Sequence, residues 1–216
     1  MQRKEVLPNH LPRLIAIVGG SGAGKTHLAD QLQQRLGKEA SRLSLDNFYR
    51  DRSRLPLRRR QQINFDHPRA IDWKTAENVL ENLARNHPAW MPRYDFSNHA
   101  RAAESQLVKP KSIILVDGLW LLQRRVIRKF FDYTIFLDCP ARTRLRRRLV
   151  RDLKQRARTA ASVRQQFLRT VAPMHKKFVA PQRRLANVIF RHDPSPEEIT
   201  KLAKTISIHA KSNSKL

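Results

Sequence analysis

The sequence is poor in cysteine and in long apolar runs, and both shortages limit what the protein can be. Cys139 is the single cysteine among 216 residues, so an intramolecular disulfide cannot form. The apolar run 14–18 is far shorter than the roughly 20 residues that a membrane-spanning helix needs. Residues 1–13 lack the apolar core of a secretory signal. We therefore expect a cytoplasmic protein that does not bind membranes.

Acidic residues are also scarce, since 18 Asp and Glu stand against 44 Lys and Arg, which gives a formal net charge of +26. Such an excess attracts polyanions, so nucleic acid is one candidate partner. The alternative is positive charge that is spread over solvated faces and partly used on nucleotide phosphates. The sequence contains no aromatic-glycine RNA motif, and its histidines lack zinc-ligand spacing. The charge thus permits nucleic acid as a partner, but the motifs do not favour it.

Short apolar runs alternate along the chain with segments of helical periodicity. The segments that predict strands are 14–18, 112–116, 133–137 and 187–190, together with 40–45, where polar and apolar residues alternate. The segments that predict helices are 27–36, 72–85, 141–156, 160–171 and 196–209. This alternation predicts an α/β fold with three layers, in which helices cover both faces of a mainly parallel sheet. We expect one domain at 14–210, an N-terminal extension at 1–13 and a basic tail at 211–216. The final Ser-Lys-Leu matches a peroxisomal address, which we take as a chance match.

One segment matches the complete P-loop pattern of glycines followed by lysine and threonine. It lies between the predicted strand 14–18 and the predicted helix 27–36, which is the context that the pattern requires. Glycines let successive backbone N–H groups face phosphate oxygens, while the lysine reaches the β- and γ-phosphates and the threonine hydroxyl holds Mg²⁺. We therefore predict a P-loop NTPase-type fold that binds ATP and Mg²⁺. The predicted nucleotide-binding residues are Gly19, Gly20, Ser21, Gly22, Ala23, Gly24, Lys25 and Thr26.

Two aspartates follow predicted strands. Asp117 ends the run 112–116, and Asp46 follows the run 40–45. In an open parallel sheet the carboxyl ends of the strands form the edge where ligands bind. We predict that Asp117 joins Thr26 in holding Mg²⁺, directly or through a water, and that Asp46 faces the γ-phosphate. The alternatives are a turn role for Asp117 and a helix-cap or loop role for Asp46.

Aromatic and polar residues are interleaved in the segments 64–68 and 92–101. Such segments suit a flat ring that carries a hydroxylated sugar, because aromatic rings stack and carboxylates accept hydrogen bonds from hydroxyls. With these motifs in this order, the sequence resembles the uridine kinase branch of the uridine kinase/phosphoribulokinase family from about residue 14 to residue 190. The resemblance implies an ATP-dependent kinase acting on the 5′-hydroxyl of a nucleoside such as uridine or cytidine.

The resemblance also implies roles for individual residues. Asp46 matches the catalytic carboxylate that deprotonates the sugar 5′-hydroxyl, and it is predicted to act together with Lys25. Arg151 and Arg156 match lid arginines near the transferring phosphate. The residues that match acceptor contacts are Phe65, Asp66, Tyr94, Phe96, His99, Arg148, Arg158 and Gln166. Asp117 falls where the family often has a glutamate, so a looser or water-mediated hold on Mg²⁺ is one expectation.

The region at about 141–170 is predicted to form an arginine-rich helical lid. Leucines recur every four residues from Leu145 to Leu153, which predicts a buried stripe. Arginines that include Arg144 and Arg148 fall on a neighbouring face and suit a transferring phosphoryl group. A solvated basic helix is the alternative.

Two other functions remain open. One is a kinase of the same architecture for another hydroxylated metabolite, such as pantothenate, ribulose phosphate or nicotinamide riboside. The other is a basic P-loop protein that binds nucleic acid. The arginine-rich segment 52–60 and Ala157, where relatives commonly have glycine, leave the acceptor preference open. A homo-oligomer is also compatible with the sequence.

Overall fold

A computed structural model describes residues 11–155 and 158–212. Its strands are β1 Arg13–Gly19, β2 Ala40–Ser44, β3 Ala89–Met91, β4 Tyr94–Asp95, β5 Ala100–Arg101, β6 Gln106–Val108, β7 Ile113–Gly118, β8 Tyr133–Leu137 and β9 Val188–Phe190. Five of them form one sheet in the order β2-β7-β1-β8-β9, in which every neighbouring pair is parallel. Two antiparallel pairs, β3 with β6 and β4 with β5, stand apart from it.

Helices separate most strands of the central sheet along the chain, whereas β3 to β7 follow one another without a helix between them. The α-helices are α1 Lys25–Leu36, α2 Leu57–Arg60, α3 Trp73–Ala84, α4 Arg125–Arg128, α5 Ala141–Gln155, α6 Ala160–Gln166, α7 Ala172–Met174 and α8 Pro196–Ser212. Helical turns of other pitch are Gly37–Glu39, Leu45–Phe48, Pro68–Ala70, Phe167–Val171, His175–Val179 and Ala180–Leu185. In the part of the chain that the structure describes, no helix is both long and apolar enough to cross a membrane.

Helices cover both faces of the central sheet, because successive side chains of a strand point to opposite faces. Ile15 and Ile17 of β1 lie in one buried cluster with residues of α1 and α8, whereas Leu14 and Val18 lie in a second cluster with residues of α3. This confirms the predicted three-layer architecture and the parallel sheet. It also brings the carboxyl ends of β1, β2 and β7 to one edge, where the predicted phosphate site lies.

The structure corrects two expectations. The segment 160–171 is α-helical only to Gln166 and continues as a π-helical turn, Phe167–Val171. The buried leucine stripe predicted for the lid helix is wrong, because Leu145 and Leu149 are only half-buried and Leu153 is 47% exposed. The buried residues of α5 are instead polar: Arg144, Arg148 and Asp152 are 2%, 4% and 0% exposed. They turn inward because they have polar partners there, as described below.

Some predictions concern residues outside the described ranges. These are Arg156 and Ala157, most of the N-terminal extension at 1–13, and the last residues of the basic tail, which include the Ser-Lys-Leu end. The domain limits, the cytoplasmic location and the homo-oligomer stay predictions.

Candidate active site

The P-loop connects β1 directly to α1, since β1 ends at Gly19 and α1 begins at Lys25. Gly22 and Gly24 have φ angles of 82° and 95°, a left-handed conformation that glycine adopts without steric cost. The Lys25 ammonium folds back and donates a hydrogen bond to the Gly20 carbonyl oxygen at 3.1 Å. The predicted phosphate-binding turn is therefore already formed at the positive end of a helix.

The P-loop is packed tightly against the lid region. A Cβ atom on Gly22 would lie 2.6 Å from the carbonyl oxygen of Arg144, and one on Gly20 would lie 2.8 Å from Nδ1 of His175. The buried Arg144 guanidinium lies over the Phe167 ring at 5.5 Å. Packing therefore requires glycine at position 22, where a side chain would collide with backbone atoms, whereas at position 20 a side chain would meet only the side chains of His175 and Arg144. His175 carries no signal in the local sequence, because only the fold brings it to the loop.

Lys25 lies within electrostatic reach of two carboxylates. Asp46 belongs to the turn Leu45–Phe48, which directly follows β2, and Asp117 lies near the carboxyl end of β7. Burial lowers the pKa of the Lys25 ammonium, whereas Asp46 and then Asp117 act in the opposite direction. Arg151 adds to the lowering, so its guanidinium is also near. The structure thus brings together four of the predicted phosphate-site residues.

Asp117 is 3% exposed and already has hydrogen-bond donors. Oδ2 accepts from Nε and Nη2 of Arg42 at 3.1 and 3.0 Å, and Oδ1 accepts from the Ser44 hydroxyl at 3.2 Å. Burial raises the pKa of the Asp117 carboxyl, and Arg42 opposes that shift most strongly. By contrast, none of the described residues donates a hydrogen bond to the Asp46 carboxylate, and Thr26 is exposed. These hydroxyl and carboxylate oxygens fit a hard cation such as Mg²⁺.

Aromatic side chains from both predicted acceptor segments meet in one group. Phe65 stacks on His99 with ring centroids 5.0 Å apart and an angle of 15° between the planes. Tyr94 contacts the edge of Phe96 at 5.3 Å and that of Phe65 at 6.3 Å. Tyr49, which sequence reasoning did not include, completes the group at 5.1 Å from Tyr94. Burial raises the pKa of Tyr94 to about 12, so its hydroxyl stays protonated.

Asp66 links this aromatic group electrostatically to the lid. Its backbone N–H donates to Oδ1 of Asn64 at 3.0 Å, which fixes the turn that carries it. Burial lowers the pKa of the Arg148 guanidinium, and Asp66 is the largest influence in the opposite direction. Burial also lowers the pKa of the Arg144 guanidinium, and the Asp66 carboxylate is among the groups that oppose this shift. Asp66 therefore lies on the lid side of the candidate acceptor pocket.

The predicted acceptor-side residues of the lid are joined by hydrogen bonds. Gln166 Oε1 accepts from Arg148 Nη2 at 3.0 Å and from Arg158 Nη1 at 2.5 Å. Arg148 Nη1 also donates to the Ser21 hydroxyl at 2.5 Å, which joins the lid to the P-loop. Arg148, Arg158 and Gln166 thus form one connected unit against the phosphate site.

Asp152 is the residue of this unit that sequence reasoning missed. Its Oδ1 accepts from Arg151 Nε at 2.8 Å, and its Oδ2 lies 3.6 Å from Arg148 Nη2. The available signal was a single acidic residue in an arginine run, four positions after Arg148. A buried carboxylate there holds two arginines in fixed directions.

Comparison with known proteins agrees with this geometry. The family model described as Phosphoribulokinase / Uridine kinase family matches residues 14–197. The chain belongs to this family. A uridine kinase of Deinococcus deserti is 40% identical over 182 residues, which cover 84% of this chain and 88% of that protein. A uridine kinase of Staphylococcus haemolyticus is 38% identical over 177 residues, covering 82% and 86%.

Among solved structures, the phosphoribulokinase from Rhodobacter spheroides aligns with a TM-score of 0.62 at 18% identity, covering 86% of this chain and 73% of that one. At that identity the likeness concerns the fold alone. Membership of the phosphoribulokinase / uridine kinase family makes this protein a phosphotransferase with an alcohol acceptor, as the sequence predicted.

Proposed function

We propose that this protein transfers the γ-phosphate of ATP to the 5′-hydroxyl of a nucleoside, with uridine or cytidine as the acceptor. The observation that carries the proposal is the position of Asp46 between the two halves of the site. On one side it lies near Lys25 of the P-loop. On the other side its neighbour Asn47 accepts a hydrogen bond from the backbone N–H of Tyr94 at 3.4 Å, which ties the turn to the aromatic group.

In the proposed reaction the acceptor oxygen forms a bond to the γ-phosphorus while the bond from that phosphorus to the β–γ bridging oxygen breaks, and ADP leaves. Asp46 accepts the proton of the 5′-hydroxyl as general base. Lys25 and Arg151 stabilise the negative charge on the transferring group. Phe65 and its neighbours hold the acceptor ring, and Asp66 accepts hydrogen bonds from the ribose hydroxyls.

Mg²⁺, when bound, neutralises phosphate charge and orients the phosphate chain. Thr26 would hold the ion through its hydroxyl oxygen, and Asp117 would hold it directly or through a water. The curated uridine kinases that cover most of this chain support a nucleoside acceptor. The stacked aromatic rings support it independently, because flat bases bind between or against such rings.

The direct test is ADP release from ATP and Mg²⁺ across a panel of acceptors. We expect release with uridine or cytidine, and we expect none above background with 5′-deoxyuridine, which keeps the base and ribose ring but lacks the reacting hydroxyl. The panel also includes pantothenate, ribulose 5-phosphate and nicotinamide riboside. Release with one of these three and none with nucleosides would overturn the acceptor assignment. Salt-sensitive oligonucleotide binding without acceptor-dependent ADP release would overturn the kinase assignment.

A further inference from the structure

The buried carboxylate of Asp117 is held by a residue that none of the predicted roles includes. Arg42 extends from β2 across to β7, where two of its nitrogens donate to one Asp117 oxygen at 3.1 and 3.0 Å. The same guanidinium also pairs with Asp30 of α1. Arg42 therefore joins β2, β7 and the P-loop helix at a single point, and it fixes the direction of Asp117.

The second oxygen of Asp117 reaches the turn of Asp46 through one hydroxyl. Ser44 Oγ donates a hydrogen bond to Asp117 Oδ1 at 3.2 Å. Ser44 Oγ also accepts a hydrogen bond from the backbone N–H of Asp46 at 3.4 Å. Ser44 is thereby the cap of the turn Leu45–Phe48. An uninterrupted set of hydrogen bonds runs from Arg42 through Asp117 and Ser44 to Asp46, and we call it the Arg42 chain.

Packing holds the same turn against the same strand. A Cβ atom on Gly118 would lie 2.7 Å from Cβ of Leu45, the residue that precedes Asp46. Phe48, at the other end of the turn, is 1% exposed. The end of β7 therefore packs directly against the first residue of the turn that carries Asp46.

From these contacts we infer that Arg42 and Ser44 are positioning residues, which act through Asp117 to hold the Asp46 carboxylate at the P-loop. The inference rests on the proposed function for its catalytic consequence. In this arrangement Asp117 serves first to orient the turn, because three hydrogen bonds take up most of the acceptor sites on its two oxygens.

The contact itself can be tested without any activity. Hydrogen exchange of the Asp46 amide, followed by NMR in the protein without nucleotide, should become about tenfold faster in Ser44→Ala and in Arg42→Met, because the amide loses its acceptor or that acceptor loses its support. Arg13→Met is the matched control. Arg13 also begins in the sheet and pairs with an aspartate, Asp132, but lies at the opposite end of β1. Ser44→Thr keeps the hydroxyl and should restore slow exchange.

The kinetic test separates positioning from metal binding. Ser44→Ala and Arg42→Met should each lower kcat about tenfold while leaving KM for ATP and the Mg²⁺ concentration for half-maximal rate within about twofold. A fall in kcat that is reversed by raising the Mg²⁺ concentration would overturn the inference, since Asp117 would then be acting as a direct ligand of the ion. Should Arg42→Met fail to fold, Ser44→Ala carries both measurements.

The two proposals fail in distinguishable ways. One outcome is that no nucleoside stimulates ADP release by wild type, while the Asp46 amide exchanges faster in both variants. The nucleoside kinase proposal is then wrong and the Arg42 chain stands. If wild type phosphorylates nucleosides while exchange and kcat in Ser44→Ala equal those of wild type, the Arg42 chain is overturned and the kinase proposal stands.

Discussion

At the scale of single residues, the two carboxylates of the candidate site differ in their hydrogen-bond partners. None of the described residues donates a hydrogen bond to the Asp46 carboxylate, and Lys25 lies within electrostatic reach of it. Asp117 is the opposite case, since Arg42 donates to one of its oxygens and Ser44 to the other. Both aspartates lie at the carboxyl ends of neighbouring strands, and this difference in partners is the ground on which we propose a catalytic role for Asp46 and a positioning role for Asp117.

Replacing the candidate base tests this distinction. Asp46→Asn keeps the shape of the side chain but cannot take up the acceptor proton, so we expect kcat to fall about a hundredfold or more with ATP binding nearly unchanged. Steady-state kinetics and calorimetric titration with ATP measure the two quantities. Asp132→Asn, at the far end of β1, is the control and should keep wild-type turnover. Wild-type-like kcat in Asp46→Asn would remove Asp46 from the mechanism.

Local sequence was sufficient to single out residues whose surroundings are set by their neighbours in the chain. The P-loop could be predicted because one continuous segment contains the whole cradle, and Phe65 and Tyr94 because they lie in short aromatic segments. Arg42 and His175 could not be predicted. Arg42 finds Asp117 only because β2 pairs with β7, and His175 reaches the P-loop only because a distant helix packs there. Such contacts are properties of the topology, which a local pattern does not contain.

At the scale of elements, the lid helix α5 differs from an ordinary amphipathic helix. The leucine periodicity predicted a buried apolar stripe, but the buried positions are Arg144, Arg148 and Asp152. Periodicity failed here because it assumes that charged residues face water. On this helix the buried charged residues contact one another, and Arg148 also donates hydrogen bonds to Ser21 of the P-loop and to Gln166.

The buried carboxylate of α5 is expected to dominate the stability of the lid. Asp152→Asn removes a buried negative charge that contacts both Arg148 and Arg151, so we expect the free energy of unfolding to fall on the order of 3 kcal/mol. Urea denaturation measures it. Glu81→Gln breaks an exposed pair with Arg85, 2.8 Å long and also spaced four residues apart on a helix. That control should cost less than about 0.5 kcal/mol. Equal losses in the two variants would contradict a buried structural role for Asp152.

At the scale of the whole molecule, the sequence predicted the central sheet and its helices but not the short antiparallel strand pairs. β1 and β7 are mainly continuous apolar runs and β2 is an alternating segment, so each was recognisable as a strand, and their alternation with helices predicted the parallel sheet. The pairs β3–β6 and β4–β5 are only two or three residues long, and no periodicity can be read from so few positions. Those short pairs carry Tyr94 and frame the acceptor side.

Global stability should depend on acid through one histidine. Burial lowers the pKa of His175 to about 4, Arg144 and Lys25 add to the lowering, and Asp138 opposes it. Because the unfolded chain protonates this ring near pH 6.5, the folded state is favoured above that pH and loses this contribution as the pH falls towards 4. For a fully buried ring, the free energy of unfolding would fall by about 3 kcal/mol over this pH range. Because His175 is partly exposed, we expect a fall of about 2 kcal/mol.

The variant His175→Gln isolates that contribution, because glutamine does not titrate. Urea unfolding at pH 7 and at pH 4.5 should show a smaller acid-induced loss of stability in the variant than in wild type, by about 2 kcal/mol. Parallel pH profiles for the two proteins would show that His175 is as easily protonated in the folded state as in the unfolded one.

The close approach of Arg144 to Gly22 has a consequence for how the motif persists over evolutionary time. Any side chain at position 22 would collide with main-chain atoms of the lid helix at 2.6 Å, whether or not a nucleotide is ever bound. A descendant that had lost all catalysis would therefore still be selected for glycine there, simply to keep its shape. In such lineages a retained glycine would indicate only ancestry and fold. Retention of the lysine and the acidic residues would then be the sequence evidence for an active enzyme.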